Sequence, residues 1–198
     1  HPEFTCIWSL NDPRIALNGK ARRVVKGSFG YFYALSRAKY LINNVNFIDA
    51  YEKRPGQIEI QTMHGTPLKT LGLDVPGELP TQAHVDAFLR RCNRWDYLVV
   101  QSPRAEEITR SCYAFKKTFL ETGYPRNDVL FKMNNPEDIS KLKEFYGLDS
   151  SKKLILYAPT WRRRAHFDLK LDLSALLDAV GDEYQVGLRV HQFALPGL

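Results

Sequence analysis

Cysteine is scarce in this chain: 198 residues hold three, Cys6, Cys92 and Cys112, an odd number at scattered positions. That argues against a disulfide framework and against the paired spacing of a zinc site, and it favours reduced thiols. Long hydrophobic runs are missing too. No stretch approaches the roughly 18 apolar residues that a membrane-spanning helix requires, and His1-Pro2-Glu3-Phe4 lacks the basic and apolar regions of a secretory leader. No initiator methionine is present, so the chain reads as a fragment of a longer protein. There is no internal repeat and no low-complexity segment. No helix-turn-helix, zinc or RNA-binding aromatic signature appears, so nucleic acid is not an expected partner. No cluster of carboxylates suggests a magnesium site, and neither a metal nor a cofactor is expected. What the chain has in excess is positive charge, 28 Lys and Arg against 22 Asp and Glu, or +6. This favours anionic partners such as nucleotide phosphates or lipid headgroups.

The remaining composition is that of a globular protein, 44% hydrophobic and 25% charged. Strand and helix patterns alternate along it. Phe4 to Leu10, Tyr40 to Ile42, Gln57 to Thr62, Asp96 to Val100 and Thr118 to Glu121 read as strands. Ser28 caps a helix running to about Ala38. Another begins at Thr81 or Gln82, and Ser102-Pro103 starts a third with proline at its favoured first position. Asn135-Pro136-Glu137-Asp138 is a further helix start, with Gly147 as its stop. From Lys153 the alternation restarts with the buried-type strand Leu154 to Tyr157, a helix from Leu171 to Val180, and a strand from Tyr184 to Val190. Repeated strand–helix units predict an α/β fold of parallel sheets with helices on their faces. The boundary falls near Pro125 to Asn135. Residues 1–130 form one Rossmann-like domain and 131–198 the incomplete start of a second. The run Tyr31-Phe32-Tyr33 reads as core, and the basic pairs Arg22-Arg23, Arg90-Arg91 and Lys116-Lys117 as solvated faces.

Chemistry concentrates in Gln61-Thr62-Met63-His64-Gly65-Thr66-Pro67-Leu68-Lys69. In open α/β sheets ligands bind beyond the carboxyl ends of the strands. His64 sits at such an end and can exchange a proton near neutral pH. Gly65 would let backbone approach a phosphate closely, and Lys69 could neutralise its charge. Each also has a plainer reading, as a structural histidine and a solvated lysine.

This stretch resembles the signature of the CDP-glycerol glycerophosphotransferases, the teichoic-acid primases and polymerases. Three others agree with it in order: Ala38-Lys39-Tyr40-Leu41-Ile42-Asn43-Asn44, Glu121-Thr122-Gly123-Tyr124-Pro125-Arg126-Asn127-Asp128, and Leu156-Tyr157-Ala158-Pro159-Thr160-Trp161-Arg162. The sequence departs from the family pattern at Met63, where tryptophan is usual, and at Arg162-Arg163-Arg164, where an acidic residue is common.

The resemblance implies a GT-B-like fold: an N-terminal acceptor-side domain, residues 1–130, and the truncated beginning of a C-terminal nucleotide-binding domain, residues 131–198. It implies transfer of a polyol phosphate from CDP-glycerol or a related CDP-polyol to a hydroxyl of a lipid-linked or polymeric acceptor, with release of CMP. It places the catalytic groups at His64 and His191, the second within an Arg-x-His pattern. Gly65, Thr66, Lys69, Arg126, Asn127, Arg162 and Arg189 become candidates for substrate or phosphate binding. Such an enzyme would work in the cytoplasm, peripheral to the inner face of the cell membrane. The Asp-Tyr-Ser-Ser type motif that holds cytidine in the family is absent from this sequence, so this fragment alone is expected to be inactive. Two rival readings are a GT-B glycosyltransferase using a nucleotide-sugar donor and a non-catalytic basic module binding anions or membrane.

Overall fold

A computed structural model describes residues 3–79, 81–159 and 171–190. The chain divides into two compact units, residues 1–127 and 128–198.

The first unit is built on a four-stranded parallel sheet. Its strands are β3 (Tyr40–Asn43), β4 (Ile58–Gln61), β5 (Tyr97–Val100) and β6 (Thr118–Glu121), paired in that order. Ahead of them, β1 (Ile7–Ser9) and β2 (Arg22–Val24) make a separate two-stranded parallel sheet. The helices are α1 (Phe29–Arg37), α2 (Gln82–Arg94) and α3 (Pro103–Cys112). β5 is a central strand, and Leu98, Val99 and Val100 are all buried. A parallel strand covered on both faces is expected to read as such an unbroken apolar run. Leu98 and Val100 join Cys92, Trp95, Ala105 and Phe115 in one core cluster, while Tyr31, Leu35, Leu41 and Tyr51 form another.

Helix starts follow the sequence closely because a hydroxyl or amide stands where the first turn has spare N–H groups. Ser28 Oγ accepts from Tyr31 N at 3.2 Å, Thr81 Oγ1 from His84 N at 3.3 Å and Ser102 Oγ from Ala105 N at 3.2 Å. At the other end of α2, Lys117 Nζ donates to the carbonyls of Asn93 and Trp95, each at 2.7 Å. Burial pushes the Cys92 thiol up to about 12 and the Cys112 thiol up to about 11, so both stay protonated.

Some expectations need correction. Of the run Tyr31-Phe32-Tyr33 only Tyr31 is core; Phe32 and Tyr33 are exposed, and Phe29 is 86% exposed with its ring stacked on Tyr33. Helical spacing placed these aromatics near one another, but Leu35 and Tyr31 define the face that meets the sheet. Arg22-Arg23 is not a loose solvated pair but the start of β2. The Arg23 guanidinium donates to the carbonyls of Pro13 and Ile15. Lys117 likewise has a structural role rather than a solvated one.

The second unit holds α4 (Asp128–Lys132), α5 (Pro136–Phe145), β7 (Lys153–Tyr157), α6 (Leu173–Val180) and β8 (Tyr184–Leu188). β7 and β8 pair in parallel, from Lys153 opposite Tyr184 to Tyr157 opposite Leu188. Asn135 caps α5 through Asp138 N at 3.0 Å, and Asp172 caps α6 through Ala175 N at 3.0 Å.

Candidate active site

β4 ends in a sharp turn held by one buried amide. The Gln61 side chain is fully buried; its Nε2 donates to Val45 O at 2.7 Å and its Oε1 accepts from Met63 N at 2.9 Å. Met63 has φ of 54°, the left-handed region that a residue with a β-carbon seldom enters. The two Gln61 bonds and the packing of Met63 against the Trp95 cluster offset that strain. The chain thereby turns away from the sheet, and His64 emerges exposed at the carboxyl end of β4.

The imidazole is oriented. His64 Nδ1 lies 2.8 Å from the carbonyl oxygen of Asn44, on the loop after β3. A carbonyl can only accept, so Nδ1 carries the proton and, in the neutral ring, Nε2 carries the free lone pair. The tautomer is therefore set by the backbone, and the basic nitrogen is the one left available.

The loop after His64 is tied down from β6. Tyr124 is buried, and its hydroxyl donates to Gly65 O at 2.8 Å. Arg126 donates to Met63 O at 3.3 Å, and its guanidinium lies 4.3 Å from the centre of the Tyr124 ring. Asn127 N donates to Tyr124 O at 2.9 Å, closing the 3-10 turn Pro125–Asn127. The structure thus brings His64, Gly65, Thr66, Lys69, Arg126 and Asn127 to the carboxyl-end side of the sheet, on the segments that follow β4 and β6. Arg126 and Asn127 engage the loop and its turn there, and the exposed Arg126 side chain lies beside the backbone that carries His64.

Beneath the loop is a cavity of about 330 Å³, walled by His64 to Lys69 on one side and by the end of β5 and α3 on the other. Two positions that sequence reasoning did not single out matter here. Gln61 and Tyr124 both lay inside quoted stretches, yet nothing in their spacing distinguished a loop anchor from an ordinary strand or turn residue.

In the second unit Arg189 directly follows β8; its N–H donates to Tyr157 O at 2.9 Å and it is exposed. His191 and Arg162 lie outside the described residues. Among the described residues no group of three His, Cys, Asp or Glu could hold a metal ion.

Comparison with known proteins gives this geometry a context. Over 203 residues the chain is 36% identical to the teichoic acid poly(glycerol phosphate) polymerase of Bacillus spizizenii, covering 96% of this chain and 51% of that protein. It superimposes on a structure of the wall teichoic acid polymerase TagF with a TM-score of 0.89 at 36% identity, covering 100% of this chain and 52% of that one. A histidine-to-asparagine variant of the same polymerase, soaked with CDPG, gives a TM-score of 0.90 at 35% identity, over 100% of this chain and 51% of the other. The chain spans about half the length of these relatives, and its fold is α/β and GT-B-like. Residues 1–195 match the sequence model of one family, and the chain belongs to it: CDP-glycerol:poly(glycerophosphate) glycerophosphotransferase.

Proposed function

We propose that the full-length protein transfers glycerol phosphate, or a related polyol phosphate, from a CDP-polyol to a hydroxyl of a lipid-linked or polymeric acceptor. The product extends a teichoic-acid-like wall polymer. The observation that carries this reading is the His64 tautomer. With Nδ1–H bonded to Asn44 O, Nε2 is free to take a proton at the mouth of the cavity.

In the reaction the acceptor hydroxyl attacks the β-phosphorus of the CDP-polyol. Its proton passes to His64 Nε2 as the new oxygen–phosphorus bond forms. The bond from the β-phosphorus to the bridging oxygen breaks, and CMP departs with that oxygen. Phosphoryl transfer of this kind depends on positioning and charge stabilisation. Lys69 and Arg126 supply positive charge near the loop, with the backbone at Gly65 and Thr66 open to phosphate and Asn127 beside them. His191, Arg162 and Arg189 are assigned to the pyrophosphate and the leaving group. Residues 1–130 serve the acceptor, and residues 131–198 begin the nucleotide-binding domain.

Membrane placement follows from acceptor chemistry and charge. A net charge of +6 suits a protein working on anionic, lipid-anchored polymer at the cytoplasmic face of the cell membrane. No described helix is long and apolar enough to cross a membrane.

The test is CMP release from CDP-glycerol by the full-length protein, supplied with a lipid-linked acceptor, beside its His64→Ala variant. Loss of a general base is expected to lower kcat by about 100-fold or more. Full activity in His64→Ala would sink the assignment. Release from nucleotide sugars but from no CDP-polyol would move the protein to sugar transfer.

A further inference from the structure

The His64 tautomer requires two segments to stay in register: the turn after β4, which carries the imidazole, and the loop after β3, which carries the Asn44 carbonyl. One buried side chain grips both. Gln61 Nε2 donates to Val45 O at 2.7 Å, one residue beyond Asn44, and Gln61 Oε1 accepts from Met63 N at 2.9 Å, one residue before His64. A carbonyl can only accept and a backbone N–H can only donate, so these partners settle which end of the amide is which. An ionised carboxylate at this position could not donate, and an ammonium could not accept.

Other bonds shape the β3 loop. Val45 N donates to Asn43 Oδ1 at 3.0 Å, and Asn43 O accepts from Thr62 N at 2.9 Å as the strand pairing ends. Thr62 Oγ1 also lies between the two segments, 3.4 Å from Asn43 O and 3.3 Å from Met63 O, but its single hydrogen serves one carbonyl at a time, at long range. Among the described residues, Gln61 is the side chain with short bonds to both segments. We propose that Gln61 is a positioning residue: by clamping Val45 to Met63 it keeps Asn44 O on His64 Nδ1 and so keeps Nε2 as the free base. Being buried, it acts through His64 and not on substrate. Without the amide, the left-handed Met63 loses a bond that offsets its strain, the β3 loop is released, and the imidazole can turn and protonate at Nε2 instead. The use of that base rests on the transferase reading; the clamp itself is a property of the protein without substrate.

The experiment uses the full-length protein, free of ligand, with its histidine ring nitrogens isotopically labelled. Long-range proton–nitrogen NMR spectra at about pH 8, where a histidine ring is neutral, separate a protonated ring nitrogen from a bare one. The His64 signals are those missing from His64→Gln. Wild type is expected to show Nδ1 protonated and Nε2 bare. Gln61→Met, of similar shape but without the amide, is expected to show both nitrogens at intermediate positions, as exchanging tautomers do. Thr62→Val is expected to keep the wild-type pattern. A folded Gln61→Met with the wild-type pattern overturns the proposal, as does a wild type protonated at Nε2, or a Thr62→Val that loses the pattern as fully. Near-ultraviolet circular dichroism checks folding; if Gln61→Met does not fold, Gln61→Asn, an amide one methylene too short to reach both partners, takes its place with the same expectation. In turnover, kcat is expected to fall about tenfold or more while donor KM stays within about twofold, the mark of a displaced base. A KM that rises in step with the fall in kcat would mean general disorder of the site and counts against the clamp. Failure of wild type to release CMP from any CDP-polyol would refute the transferase reading and leave the NMR comparison to decide the role of Gln61.

Discussion

The Glu59 carboxyl on β4 is at 0% exposure, with neither oxygen hydrogen-bonded among the described residues, and Arg94 Nε is 3.9 Å away. Burial and the ion pair oppose each other. Burial wins: it raises the Glu59 carboxyl above its usual 4.5, against the lowering charges of Arg94 and Lys53. The folded protein thus holds this proton more tightly than the unfolded chain does. Its contribution to stability is complete below the unfolded pKa and is lost as pH rises through the folded one. Glu59→Gln keeps the shape and never ionises, so it is expected to raise Tm at about pH 8 and to leave it nearly unchanged at about pH 4. A Tm lowered at both would show that the pair with Arg94 dominates. Tyr124 makes a second residue-scale prediction. Tyr124→Phe removes the bond to Gly65 O and leaves the ring in place, at a cost of about 1 kcal/mol in stability. If that bond holds the His64 loop, kcat falls several-fold while KM for the donor changes little. An unchanged kcat would make Tyr124 a packing residue alone.

Two glycines separate fold from function at the scale of elements. Gly72 opens the 3-10 turn Gly72–Asp74 at φ +51°, and an added Cβ would lie 2.4 Å from the Cys112 carbonyl at the end of α3. Neither atom can yield easily, so Gly72→Ala is expected to cost about 2 kcal/mol or more, read by chemical denaturation. Gly65 is different: an added Cβ meets nothing within 4 Å. Gly65→Ala should therefore match wild type in Tm, and a fall in activity would report close approach of a substrate to this backbone. Unimpaired activity would remove Gly65 from the site. Elements such as these were legible in the sequence to the extent that their signals were local. Ser28, Ser102 and Asn135 marked helix starts because capping is settled within four residues, and the apolar run from Tyr97 to Val100 marked a strand. β2 was missed because Arg22 and Arg23 look like surface charge until Pro13 and Ile15 supply carbonyls from ten and eight residues away. α4 was missed because five residues are too few to show a helical period. In the candidate site, the place of His64 at the end of a strand was legible from the sequence, whereas the partners that orient it are not local. Asn44 lies twenty residues away and Tyr124 is fifty-nine from Gly65, distances that only the fold closes.

At the scale of the molecule, the two units differ in how much they bury. Every described residue of the buried core lies in residues 1–127, where four paired strands and three capped helices enclose two clusters. Among the described residues of 128–198 the sheet has two strands; Leu154 and Leu156, expected in a buried-type strand, are exposed, as are Leu188 and, on or beside the helices, Phe131, Phe145 and Tyr146. A parallel sheet needs both faces covered, and two strands give little hydrogen bonding to set against chain entropy. Residues 1–127 expressed alone are accordingly expected to unfold in one cooperative transition, with near-ultraviolet circular dichroism typical of fixed aromatic packing. Residues 128–198 alone are expected to show no cooperative transition and to bind a hydrophobic dye. The reverse pattern would mean that the His64 loop depends on the second unit for its stability. In that case Tyr124, Gln61 and Asn44 would not suffice to hold the imidazole, and the tautomer on which the proposed reaction rests would have to be fixed from elsewhere in the protein.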